Sequence, residues 1–119
     1  MGYLTSNGKN AVQKNKRFSV YWFDPGPSVG AELRKIRPCV VVSPEEMNEV
    51  MRTALIAPLT STFKSWPFRT NVTVNGKKSS VACDQLRVVD KSRLKEYIED
   101  LSLTESDRLL TLLQTIFAK

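Results

Sequence analysis

The sequence contains no histidine, only two cysteines and no long hydrophobic run, and each scarcity excludes a class of protein. Without histidine, Cys–His nucleophilic catalysis, His-ligated zinc sites and imidazole acid–base chemistry are impossible. No apolar stretch is long enough to cross a bilayer or to serve as a signal peptide, so we expect a cytosolic protein. Any catalysis must use carboxylates, hydroxyls and cations, and we expect no metal and no other cofactor.

The two cysteines lie in apolar segments. Cys39 belongs to Pro-Cys-Val-Val-Val and Cys83 to Val-Ala-Cys-Asp. A reducing cytosol keeps such thiols free, and free cysteine is among the most often buried residue types. We therefore expect two buried, inert thiols rather than a nucleophile or a zinc site.

Positive charge is the main excess in the composition. Eighteen lysines and arginines stand against twelve acidic residues, which gives a net charge of +6. The excess is concentrated in residues 1–37, which hold seven basic residues and two acidic ones. An anionic partner such as a nucleic acid explains this pattern, and plain solubility explains it equally well.

The chain has the size and apolar content of one compact domain, with 119 residues of which 41% are hydrophobic. Residues 1–16 are polar and lack periodicity, which predicts a disordered basic N-terminal extension before a domain at 17–119. Short apolar, β-branched and aromatic runs, separated by turn-forming residues, predict strands at 18–24, 39–43, 54–60, 69–74 and 79–86. Asn75-Gly76 predicts a tight hairpin between the last two of these strands. Residues 92–100 are compatible with either a helical turn or a strand.

Two helices are predicted from capping signals. Ser43 and Glu46 have the spacing of a capping box, so we expect a short helix that ends near Met51. Ser102 and Glu105 form a second such box ahead of an apolar stripe at helical spacing. The stripe comprises Leu109, Leu110, Leu113, Ile116 and Phe117. Five or six mainly antiparallel strands with few helices predict a small curled sheet or partly open barrel, on which the terminal helix packs.

Polar residues occur where predicted strands meet loops, the usual place for function on a rigid scaffold. Glu32 and Arg37 lie in the loop before the second strand, where they can form an exposed ion pair. Thr60 ends the third strand and can make a local backbone hydrogen bond. Asp84 lies in the fifth strand with Val81 and Cys83 as apolar neighbours, and it can pair with Arg87. Taken singly, none of these residues requires a catalytic function.

The order of three sequence blocks is more specific than any one of them. Gly30-Ala-Glu-Leu-Arg-Lys-Ile-Arg-Pro-Cys-Val-Val precedes Ala57-Pro-Leu-Thr-Ser, and Asp84-Gln-Leu-Arg-Val-Val-Asp follows. This order resembles the MazF/PemK family of toxins from type II toxin–antitoxin systems, over residues 17–119. The resemblance implies a bacterial cytoplasmic homodimer of SH3-like small barrels, mainly β with short helices, that cleaves single-stranded mRNA without a metal. It also implies an acidic, partly disordered antitoxin that neutralises the toxin.

The resemblance also assigns roles to residues. The 2′-hydroxyl of the RNA attacks the phosphorus and leaves a 2′,3′-cyclic phosphate, which requires a base, positive charge and a proton donor. Arg37 matches the catalytic arginine, the stabiliser of the phosphorane and the candidate proton donor, and Thr60 matches the catalytic threonine. Glu32 and Asp84 are the two candidates for the base. The RNA-binding candidates are Arg34, Lys35, Ser61, Trp66, Gln85 and Arg87.

Some features depart from the family pattern and leave alternatives open. Ala31 stands where some members have a histidine, and Ala82 where some have an arginine two residues before the aspartate. Of the two tryptophans, we expect Trp22 in the core, and Trp66 is the better candidate to stack on bases, with simple packing as the alternative. Two other functions are a non-catalytic toxin of the same fold that acts on DNA gyrase, as CcdB-like proteins do, and a nucleic-acid binding module.

Overall fold

The computed structural model describes residues 16–26, 36–61 and 66–118, which contain seven strands and two α-helices. The strands are β1 (Ser19–Phe23), β2 (Arg37–Val41), β3 (Thr53–Thr60), β4 (Arg69–Val74), β5 (Lys77–Ala82), β6 (Arg87–Asp90) and β7 (Leu94–Asp100). The helices are α1 (Glu45–Val50) and α2 (Leu103–Ile116), and 3₁₀ turns cover Cys83–Gln85 and Lys91–Arg93. Residues 1–15 of the predicted extension lie outside the described ranges. No helix within these ranges is long and apolar enough to cross a membrane.

The seven strands form one antiparallel sheet in the order β4-β5-β3-β2-β1-β7, with β6 attached to β3. The end of β3 pairs with β5, and its beginning pairs with β6. Because two strands share one side of β3, and because register shifts interrupt the pairing of β1 with β7, the sheet curls. The predicted mainly-β fold, a partly open barrel with a terminal helix, is confirmed.

The Asn75-Gly76 hairpin forms as predicted. Asn75 has a φ of 54° and Gly76 a φ of 77°, the left-handed conformations of a two-residue type I′ turn. Asparagine and glycine tolerate these conformations well. The turn fixes the register of β4 on β5 and thereby places Arg69 across from Ala82.

The sheet has two faces, because successive side chains of a strand point to opposite sides. The helix-side face packs against α2, and its buried cluster is Val20, Val40, Val42, Ala57, Leu59, Val72, Val74, Val81 and Cys83 with Leu101, Leu109 and Leu113. The opposite face has its own buried cluster, which is Tyr21, Phe23, Cys39, Val41, Ala54, Ile56, Val89 and Leu94.

Helix α2 begins at the predicted capping box. The Ser102 hydroxyl accepts a hydrogen bond from the Glu105 backbone N–H at 3.1 Å, and Glu105 Oε1 accepts one from the Ser102 N–H at 3.0 Å. Leu109 and Leu113 of the predicted apolar stripe are buried, whereas Phe117 is 72% exposed. The middle of α2 therefore contributes to the core, and the end of the stripe reaches solvent.

Two local predictions are wrong. Ser43 does not cap α1, whose N-cap residue is Pro44 and has no side-chain cap hydrogen bond. The buried Ser43 hydroxyl instead donates to Asn48 Oδ1 at 2.5 Å and accepts from the Leu55 N–H at 3.0 Å, so it joins α1 to β3. Trp22 is 37% exposed rather than part of the core, because α2 packs over β4 and not over this end of β1.

Both cysteines are buried, as predicted. Burial raises the pKa of the Cys39 thiol to about 12 and that of the Cys83 thiol to about 11. Thiols with such pKa values stay protonated at neutral pH, and a protonated thiol is a poor nucleophile. The two cysteines therefore serve as small core residues.

Candidate functional site

Arg37 and Thr60 lie at the same end of the sheet. Arg37 begins β2 and pairs with Phe23 of β1. The register of β2 on β3, continued by two residues beyond its last pair, brings Arg37 to the position across from Thr60. Thr60 pairs with Ser80 on its other side. Because paired residues of an antiparallel sheet project from the same face, Phe23, Arg37, Thr60 and Ser80 form one row on the opposite face, which we call the strand-end row.

The strand-end row combines positive charge, hydroxyl groups and an aromatic ring. Arg37 is exposed, and Thr60 is half-buried beside it. Arg87 of β6 adds a second exposed cation, and its guanidinium carbon lies 5.1 Å from the centroid of the Phe23 ring. Two exposed arginines and a half-buried threonine on one face of the sheet suit a phosphate-bearing ligand.

The third sequence block forms a turn where the sequence predicts a continuing strand. Strand β5 ends at Ala82, and Cys83–Gln85 is a 3₁₀ turn that packs against β3 and β4. Cys83 belongs to the buried helix-side cluster, whereas Asp84 and Gln85 are exposed. The burial of one side chain thus turns the two polar ones towards solvent.

Asp84 has a different partner from the one predicted. Its carboxylate accepts two hydrogen bonds from Arg69, from Nε to Oδ1 at 2.8 Å and from Nη2 to Oδ2 at 3.2 Å. Arg87 is unavailable for this pairing, because its guanidinium lies over Phe23. The hydrogen bonds from Arg69 hold the pKa of Asp84 below its ordinary value, so the carboxylate is ionised at neutral pH.

Trp66, the predicted stacking residue, is 43% exposed. The Trp66 ring contacts the Phe68 ring with 5.2 Å between the centroids. The guanidinium carbon of Arg69 lies 4.9 Å from the centroid of the Trp66 ring. Arg69 therefore contacts both Trp66 and Asp84, the aromatic ring through a cation–π contact and the carboxylate through hydrogen bonds.

The other predicted site residues divide by whether the structure describes them. Ser61 directly follows β3, Gln85 lies in the 3₁₀ turn, and both are exposed. Glu32, Arg34 and Lys35 lie outside the described residues, so their roles stay predictions. Within the described part of the chain, no group of three or more cysteine or acidic side chains could hold a metal ion.

Arg69 is the site residue that the sequence argument missed, although a signal was present. The two-residue turn Asn75-Gly76 sets the hairpin register, and counting back along both strands from it places Arg69 opposite Ala82. From that position a long side chain can reach Asp84, two residues beyond Ala82. The signal lies in the register of the hairpin and not in the sequence neighbours of Asp84.

The fold and the site define a small basic barrel. The exposed arginines on one face of its sheet suit an extended anionic ligand such as single-stranded nucleic acid. Residues 16–117 match the family described as PemK-like, MazF-like toxin of type II toxin-antitoxin system. This match covers most of the chain, so the protein belongs to that family.

Individual proteins of this kind are similar over nearly the whole chain. The sequence is 30% identical over 109 residues to endoribonuclease EndoA of Bacillus subtilis (strain 168), covering 87% of this chain and 94% of that protein. A crystal structure of MazE-MazF from Deinococcus radiodurans is 26% identical with a TM-score of 0.73, covering 88% and 96% of the two chains. An endoribonuclease in complex with its cognate antitoxin, from a mycobacterial species, shares the fold with a TM-score of 0.72 at 21% identity, covering 84% and 91%.

Proposed function

We propose that this protein is the endoribonuclease toxin of a type II toxin–antitoxin system, which cleaves single-stranded RNA such as mRNA and so inhibits translation and growth. The observation that supports this best is the strand register that places Arg37 across from Thr60 at one end of the sheet, in a chain 30% identical to an endoribonuclease. Arg87, over the Phe23 ring, adds positive charge on the same face, as an RNA backbone requires.

The proposed reaction is a transphosphorylation within the RNA strand. The ribose 2′-oxygen gives its proton to a base and attacks the adjacent phosphorus, and the bond to the 5′-oxygen breaks to leave a 2′,3′-cyclic phosphate. Arg37 stabilises the negative charge of the phosphorane and is the candidate donor of the proton that the departing 5′-oxygen takes up. The Thr60 hydroxyl binds a non-bridging phosphate oxygen. No step in this scheme needs a metal or a cofactor.

Glu32 is the better candidate for the base. Two guanidinium nitrogens of Arg69 already engage Asp84, and they hold its pKa below the ordinary value. A general base works best when its pKa lies near the working pH, so a carboxylate stabilised in its ionised form is a weak proton acceptor. This supports a role for Asp84 in binding RNA and leaves the proton of the 2′-hydroxyl to Glu32.

The proposed setting is a bacterial cytoplasm, with a homodimer as the active form and an acidic, partly disordered antitoxin as the inhibitor. An acidic antitoxin segment and an RNA strand are both extended anionic chains. The arginines of the site can therefore bind either one, and occupation by the antitoxin excludes the RNA.

The test is incubation of the purified protein with a long single-stranded RNA in EDTA, followed by mapping of the product ends. We expect discrete cuts with 2′,3′-cyclic phosphate ends, and a kcat lowered by about 100-fold or more in Arg37→Ala and in Thr60→Ala. Arg52→Ala is the matched control for lost charge. Arg52 precedes the far end of β3, and its side chain is 90% exposed, so this variant keeps its activity.

Intact RNA in all samples, with folded protein and varied RNA sequences, would contradict the nuclease. Inhibition of DNA gyrase supercoiling would then identify the non-catalytic toxin. Binding of RNA without cleavage, with an affinity that falls steeply with salt, would identify the binding module.

A further inference from the structure

Trp66, Arg69 and Asp84 form a continuous group of side chains at the start of β4, which we call the Trp66 cluster. Arg69 lies at its centre, with its guanidinium carbon 4.9 Å from the Trp66 ring centroid and its Nε 2.8 Å from Asp84 Oδ1. The backbone N–H of Arg69 also donates to the Trp66 carbonyl oxygen at 3.2 Å. Side-chain and main-chain contacts therefore hold the cluster together.

Arg69 is the buried member of the Trp66 cluster. Its side chain is 7% exposed, against 30% for the side chain of Asp84. The ion pair of Arg52 with Asp90 is different, because it has a single 3.3 Å contact and the Arg52 side chain is 90% exposed. A buried guanidinium requires hydrogen bonds to offset its lost hydration, and Arg69 finds them within the cluster. It therefore fixes its neighbours and does not extend towards a ligand.

The exposed parts of the Trp66 cluster are an aromatic ring and a carboxylate. Trp66 is 43% exposed, and an ionised Asp84 can only accept hydrogen bonds. A nucleobase has the matching features, since it is flat enough to stack on an indole and carries N–H donors on its edge. A phosphate does not match, because Asp84 repels it and the charge of Arg69 is covered.

We propose that Arg69 is a positioning residue that makes the Trp66 cluster a base-binding site, in which one nucleobase stacks on Trp66 and directs an N–H donor at Asp84. This inference rests on the proposed cleavage of RNA and adds the origin of sequence preference at one position. The 3₁₀ turn that carries Asp84 packs against β3, the strand that ends at Thr60.

The register of the β4–β5 hairpin explains why the guanidinium that pairs with Asp84 belongs to a residue of β4. Ala82 lies directly across from Arg69, and both project from the opposite face. The small side chain of Ala82 leaves the space beside Asp84 to Arg69. The chain thus holds an arginine against this carboxylate without having one at position 82.

The experiment compares Arg69→Met with Arg52→Met, which removes the same charge from the exposed ion pair. Cleavage of the long RNA is measured as kcat and KM, and the base preference around each cut is read from the mapped ends. For Arg69→Met we expect a KM raised by about tenfold, the size of one lost base-stacking contact, with kcat near that of the wild type. The base preference at one position should weaken. Arg69→Lys should restore only part of it, because the lysine ammonium cannot donate two parallel hydrogen bonds to Asp84 as the guanidinium does.

Fluorescence of Trp66 gives a second readout, which measures base binding without requiring cleavage. In a Trp22→Phe background, Trp66 is the only tryptophan, so quenching of its fluorescence by added RNA reports stacking directly. Trp66→Ala in the native background should reproduce the raised KM. An Arg69→Met variant that matches Arg52→Met in KM, base preference and quenching would overturn the inference. Intact RNA with the wild type would instead overturn the nuclease, and quenching would still decide whether the cluster binds a base.

Discussion

The two faces of the sheet come from the same strands but differ in what they hold. The helix-side face is covered by α2, and its larger cluster includes the fully buried Leu109 of that helix. The opposite face has a smaller buried cluster, and the exposed Arg37 and Arg87 stand at its edge. Leu59 and Thr60 are neighbours in sequence, yet the first belongs to the core and the second to the site. Alternation along a strand therefore separates stability from chemistry, and substitutions should separate them too.

The largest effect on stability is expected from Leu109→Ala on the helix-side face. Removing a fully buried leucine side chain leaves a cavity against β-sheet residues, which lowers the free energy of unfolding by about 3 kcal/mol. Urea denaturation measures this loss. The kcat of the folded fraction should be unchanged, and a kcat loss as large as that of Arg37→Ala would show that the faces are not independent.

An intermediate effect is expected from Asp84→Asn on the opposite face. The variant leaves the buried Arg69 without its charged partner, so the free energy of unfolding at pH 7 falls by about 1–2 kcal/mol. The pKa of Asp84 is lowered by folding. Its contribution is therefore present above the unfolded pKa of about 4 and is lost as the pH falls through the folded value.

Denaturation of wild type and Asp84→Asn across the acid range checks this sign. The difference between the two proteins should shrink as the pH falls below about 4. Asp107→Asn removes an exposed carboxylate of α2 and serves as the control. A difference that is constant with pH would mean that ionisation of Asp84 contributes nothing to its pairing with Arg69.

A smaller loss is expected from Ser102→Ala at the start of α2. The Ser102 hydroxyl satisfies the backbone N–H of Glu105, and such caps contribute about 1 kcal/mol. Thermal denaturation should show the lower stability. The variant should keep the kcat and KM of the wild type, because α2 lies on the face away from the strand-end row.

The smallest effect, and the only gain, is expected from Ser80→Ala. The Ser80 hydroxyl is buried and has no hydrogen-bond partner within the described residues, so removing it should raise the free energy of unfolding by less than about 1 kcal/mol. Denaturant titration of the variant beside the wild type checks the sign. A loss of stability would mean that this hydroxyl is hydrogen-bonded in solution.

The local sequence was sufficient for most of the fold. The Asn75-Gly76 turn, the Ser102 and Glu105 cap and the apolar runs of the strands all act between residues close in sequence. Each of these elements formed, although the predicted fifth strand ends at Ala82. The family could likewise be identified from three ordered blocks, and residues 16–117 match that family.

Only the tertiary structure decided which side chains met. The Ser43 hydroxyl bonds to Asn48 and Leu55 and does not cap α1, because the chain folds back after α1 and brings the Leu55 N–H of β3 within reach. Asp84 pairs with Arg69 and not with the nearer Arg87, because the β4–β5 register brings the two together while Phe23 holds Arg87 elsewhere. Which side chains pair depends on strand order and on competition among possible partners. Neither of these can be read from a short stretch of sequence.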